Sequence, residues 1–124
     1  MGLKALLDTN AIIALLKNEG NISNILSNYS EVYISVVSIL EFQSFQNISE
    51  SDLVLFDRFL SRIIVVDLSQ SNYLLLKKII AIRKIKALKL PDAIIASTSI
   101  VLNADLFTSD RSFLKIEEIN VVTW

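Results

Sequence analysis

Apolar residues along this chain follow two alternating rhythms. Short continuous runs of strand length are separated by stretches in which apolar residues return every three or four positions. The first run, around Ala5-Leu6-Leu7, stops abruptly at Asp8 and reads as a buried strand. A helical pattern follows over Ala11–Leu16, with Thr9 or Asn10 as its cap and Lys17–Gly20 as its stop. A second short helix is predicted at Ile22–Leu26, a strand at Val32–Ser35, and a helix from Val36 to Phe45 with one acid, Glu41, inside it. Beyond the polar stretch Asn47–Asp52, Ser49 or Ser51 caps a helix over about 52–61. Ile63–Val66 reads as a strand buried on both faces. Ser69 caps a long helix over roughly 70–86, which Lys89-Leu90-Pro91 breaks. Pro91 opens another helix reaching Leu102, with Asn103 as a left-handed terminal residue. Leu106–Thr108 is a strand, Ser109–Lys115 a turn or short helix, and Ile119–Thr123 a last strand. Strands alternating with helices predict an α/β fold, a parallel sheet covered on both faces, in a single domain spanning residues 1–124.

Composition narrows this picture. The 124 residues are 52% hydrophobic, and the mean hydropathy is +0.53. A membrane protein and a domain with an extra apolar surface are the competing explanations. No apolar stretch approaches the roughly 18–20 residues that span a bilayer, so the surplus is assigned to a buried sheet and an oligomer interface. The amino terminus shows no signal-peptide pattern, and a cytoplasmic location is expected. Cysteine and histidine are both missing, which excludes disulfides, thiolate chemistry and Ser-His catalysis. Any metal must be held by oxygens, and Mg2+ or Mn2+ are then the candidates. The net charge of −1 gives no general attraction to nucleic acid. Six of the 12 basic residues nevertheless fall in one segment: Lys77, Lys78, Arg83, Lys84, Lys86 and Lys89.

Four acids stand in unusual places. Asp8 ends a strand, Glu41 interrupts an apolar helix, Asp92 follows Pro91 in a first helical turn, and Asp110 follows the strand Leu106–Thr108. Each has an ordinary explanation: Asp8 and Asp110 as helix caps, Glu41 on a solvated helix edge, Asp92 as an acid favoured by the helix dipole. Their joint position is harder to explain that way. Parallel sheets gather ligand groups at the carboxyl ends of their strands. Carboxylates crowded there repel one another, and a divalent cation relieves the conflict. Such ions favour phosphate substrates and phosphoryl chemistry.

Leu6-Leu7-Asp8-Thr9-Asn10, Ile34 through Phe42, Leu90-Pro91-Asp92-Ala93-Ile94-Ile95-Ala96 and Leu106 through Phe113, in this order and spacing, resemble a PIN-domain ribonuclease of the VapC toxin type. The resemblance covers nearly the whole chain. It implies a three-layer α/β/α sandwich and metal-dependent endoribonuclease cleavage of single-stranded RNA. It also implies that Asp8, Glu41, Asp92 and Asp110 bind the metal, with Thr9 or Ser109 supporting them by hydrogen bonds. Relatives generally dimerise, so a homodimer is implied, and toxins of this type pair with an antitoxin protein. Many relatives carry a further acid two residues after the fourth, where this chain has Ser112.

The basic segment has three readings: a solvated helix face, a contact of Arg83, Lys84, Lys86 and Lys89 with RNA phosphates beside an acidic pocket, or a contact with a partner. Two rival functions remain open at this level. A phosphoryl-accepting domain, receiver or phosphatase-like, also sets an Asp at a strand end. The phosphatase motif, however, needs an acid where Asn10 stands, and the receiver reading rests on Asp67 without the preceding acid pair. A non-catalytic binding module would have no use for four converging negative charges.

Overall fold

The computed structural model describes residues 3–124. Five parallel strands form one sheet in the order β3-β2-β1-β4-β5: β1 Lys4–Leu7, β2 Glu31–Ser35, β3 Ile64–Val66, β4 Asp105–Phe107 and β5 Val121–Val122. The helices are α1 Thr9–Leu16, α2 Ile22–Leu26, α3 Val36–Gln43, α4 Glu50–Leu60, α5 Tyr73–Ile85 and α6 Leu90–Leu102, with a short 3-10 helix at Arg111–Lys115.

The two-residue period of the strands divides their side chains between two cores. Leu6, Tyr33 and Leu106 point to the face covered by α5 and α6, where Leu75, Ile79, Ile82 and Ile95 meet them. Ala5, Leu7, Ile34 and Phe107 point to the other face, against Ile12, Ile22, Phe42 and Phe56 from α1 to α4. This is the three-layer α/β/α sandwich expected from the sequence. Among the described residues no helix is long and apolar enough to cross a membrane.

Several local expectations are corrected. The cap of α1 is Asp8, whose carboxylate accepts from the Thr9 N–H at 2.8 Å, rather than Thr9 or Asn10. Helix α4 starts two residues early because Ser49 and Asp52 form a reciprocal capping box. Helix α5 starts late, at Tyr73, because the Ser69 hydroxyl pairs with the Ser71 hydroxyl at 2.8 Å instead of capping the helix. Strand β3 is not buried on both faces: it is an edge strand, with Ile64 45% exposed. Leu74 and Ile85 of α5 are exposed. Asn103 does take the left-handed conformation, φ 54° and ψ 47°, that ends α6.

Candidate active site

The strand order sets where a site can form. The chain leaves β1 toward β2 on one side and later returns to add β4 on the other side of β1. The connections after β1 and β4 therefore run apart, and a crevice opens outside the carboxyl ends of these two strands. Asp8 directly follows β1, and Thr108, Ser109 and Asp110 directly follow β4. The main-chain N–H of Asp8 donates to the Phe107 carbonyl at 3.0 Å, which continues the β1–β4 pairing to the rim.

Asp8, Glu41, Asp92 and Asp110 line one cup of about 270 Å³, together with Thr9, Asn10, Ile13 and Phe45. Glu41 arrives from the middle of α3, and Asp92 from the first turn of α6, where Pro91 also sits. Two hydroxyls hold the acids. Thr9 donates to Glu41 Oε1 at 2.8 Å. Thr108, fully buried, donates to Asp8 Oδ2 at 2.8 Å and accepts from the Asp110 N–H at 3.0 Å. Asn10 completes the frame. Its amide nitrogen reaches Asp8 Oδ2 at 3.4 Å and Thr108 Oγ1 at 3.3 Å, and its carbonyl oxygen accepts from the Ser109 N–H at 3.0 Å.

The Thr9 hydroxyl thus bonds one of the four acids, Glu41. Ser109 bonds none of them, its N–H donating to Asn10 instead, and the hydroxyl that links Asp110 to Asp8 belongs to Thr108. Sequence reasoning does not single out Thr108 or Asn10 as supporting residues. A polar residue ending an apolar strand next to Asp110 is the available signal for Thr108.

The electrostatics are those of crowded like charges. Asp8 is 9% exposed. Its carboxyl titrates above its ordinary value, chiefly because burial disfavours the charge. Bonds from Thr108 and the Thr9 N–H counter this, while the charges of Glu41 and Asp92 add to it. Asp92 is raised as well, first by burial and then by Asp110 and Glu41, with Lys89 and Lys115 opposing. The donor set is all oxygen, as magnesium and manganese prefer. Among the described residues no group of three acids is already arranged to hold a metal ion.

Lys89, the N-terminal flanking residue of α6, reaches this field; Arg83, Lys84 and Lys86 do not line the cup. Lys86 lies in a separate groove with Lys78, Ile82 and Glu118, where Lys78 and Glu118 pair at 3.0 Å. Asp67, the acid a receiver would need, is exposed after the edge strand β3 and is not part of the cup.

The PIN domain family model matches residues 5–119. No curated protein matches the chain. Among solved structures, a toxin–antitoxin complex from Klebsiella pneumoniae is 27% identical, with a TM-score of 0.78 and 96% of each chain covered. DNA-bound VapBC from Salmonella typhimurium is 26% identical, with a TM-score of 0.76 and 98% of each chain covered. VapBC2 from Rickettsia felis, bound to a DNA fragment from its promoter, is 24% identical with a TM-score of 0.77, covering 98% of this chain and 99% of that one. This last likeness is one of fold.

Proposed function

The chain belongs to the PIN domain family, and from that premise we propose that it is a metal-dependent endoribonuclease acting on single-stranded RNA, the toxin of a toxin–antitoxin pair. The observation that carries this reading is the cup lined by four acids that come from the end of β1, from α3, from α6 and from the segment after β4. Asp8, Glu41, Asp92 and Asp110 would hold Mg2+ or Mn2+. Such an ion, when bound, supplies charge neutralisation on a phosphate oxygen and activation of water.

The chain's own residues do the rest. Thr108 and Thr9 fix the carboxylates of Asp8 and Glu41 in direction. Lys89 and Lys115 bring positive charge to the field of Asp92, which eases the approach of a polyanion to an acidic site.

The antitoxin partner is proposed on the likeness to toxin–antitoxin complexes from other bacteria. A homodimer is proposed on the outward apolar side chains of α5 and α6. Leu74 is 72% exposed, and with Ala81 and Val101 it lines a shallow groove.

The test is cleavage of a labelled single-stranded RNA with MgCl2 or MnCl2, and with EDTA. Metal-dependent cleavage is expected, and Asp92→Asn should reduce it at least about a hundredfold, by analogy with loss of a principal charge-stabilising group. A parent protein inert with both metals, or an Asp92→Asn protein as fast as the parent, would sink the reading.

A further inference from the structure

Phe45 is an aromatic residue that solvent should not favour. It follows the end of α3, with its side chain 44% exposed, and it lines the acidic cup. It also lines, with Ile13, a neighbouring groove of about 170 Å³ floored by Leu16, Phe42 and Ile48. The two depressions therefore share a wall, and Phe45 forms part of it.

The ring does not hang free. Its centroid is 6.1 Å from that of Phe42, which stacks on Phe56 at 4.2 Å, which in turn lies 6.2 Å from Phe59. Phe42 and Phe56 are buried. Four rings thus run in file from α4 to the rim of the cup, and the last one presents itself to the solvent. A ring seated this way loses little freedom when a second flat surface lies against it.

We infer that Phe45 is a stacking platform for a nucleobase of the RNA strand next to the phosphate held at the four acids. The inference rests on the nuclease reading above and adds a base-binding subsite to it. Single-stranded RNA offers unstacked bases, and aromatic side chains take them on their faces. The groove behind the ring receives the body of the base. Lys17, Asn47 and Asp52 stand on its wall, where their polar groups can meet a base edge and distinguish one base from another. Continuity of this groove with the cup favours a base over an unrelated ligand, because Phe45 and Ile13 line both depressions and a strand whose phosphate sits at the acids has its neighbouring base beside them.

The test uses a pool of single-stranded 20-nucleotide RNAs of random sequence with MnCl2, reading initial rates and sequencing the cleaved ends. Phe45→Leu keeps the apolar cover but loses the flat face; Phe45→Trp keeps the face. Phe45→Leu is expected to raise KM about tenfold, the size of losing one base–aromatic stack, to leave kcat within about twofold, and to flatten the base preference beside the cut. Phe45→Trp is expected to restore both KM and preference. The melting temperature of each variant reports folding. If the parent cleaves and folded Phe45→Leu cleaves at the same sites with the same KM, the stacking assignment is overturned and the nuclease reading stands. The stacking assignment falls equally if Phe45→Leu lowers kcat alone, or if Phe45→Trp restores nothing. If the parent cleaves nothing, both fall.

Discussion

Asp8 does two jobs with one carboxylate. One oxygen accepts from the first N–H of α1, and the other from Thr108 while facing the acidic cup. The capping explanation of this residue holds and the same carboxylate also lines the cup; sequence alone could not rank the two readings because a cap and a site member look alike. Asp110 repeats the pattern, accepting from the Ser112 N–H at 2.9 Å. The double role has a measurable cost. Burial, with the charges of Glu41 and Asp92, raises the Asp8 carboxyl above its ordinary 3.8. The folded chain therefore binds this proton more tightly than the unfolded chain does. Stability of the metal-free protein is favoured below 3.8 and is lost as pH rises from there through the raised value. At neutral pH the Asp8 charge is destabilising. Asp8→Asn removes it and keeps an oxygen for the cap. In EDTA at pH 7 the variant should melt above the parent, and that advantage should vanish below pH 3.8. Added Mn2+ should raise the melting temperature of the parent and leave the variant nearly unmoved. A variant that melts below the parent in EDTA would mean that the bond from Thr108 outweighs the repulsion.

At the scale of elements, legibility follows the physics of each signal. α2 is predicted to its ends, and α1 and α6 to within two residues, because each is a run of apolar periodicity between polar breaks, with Pro91 and Asn103 marking the ends of α6. The start of α5 escapes the pattern because a serine before a helix can bond a neighbouring hydroxyl instead of the helix backbone. The burial of β3 escapes it because strand order cannot be seen in a continuous apolar run, and this one falls at the sheet's edge. The reciprocal cap of α4 is the clearest local device. Ser49 Oγ accepts from the Asp52 N–H at 3.1 Å, and Asp52 Oδ2 accepts from the Ser49 N–H at 3.4 Å. Ser49→Ala should lower stability by about 1 kcal/mol in urea unfolding, and Ser49→Asp should lose much less. The four acids are legible one by one; what the sequence lacks is the hydrogen-bonded frame of Thr108 and Asn10, which spans strands about a hundred positions apart.

For the molecule as a whole, the apolar surplus is divided. Much of it fills two cores, one on each face of the sheet, and part of the remainder faces outward on α5 and α6. If that outward face joins two copies, Leu74→Glu should give a monomer by light scattering at micromolar concentration and leave the circular dichroism spectrum unchanged. A dimer that survives the substitution would move the interface elsewhere. The middle position of β1 has another consequence. Its first neighbour, β2, follows within a few dozen residues, but its second, β4, comes only after α6. A ribosome that has delivered the chain through α6 has delivered three of the four acids. Asp8 still lacks the Phe107 carbonyl and the Thr108 hydroxyl, and Asp110 does not yet exist. The nascent chain thus carries an unfinished cup throughout most of its synthesis, and a message cut short before β4 encodes a fragment in which that cup never closes.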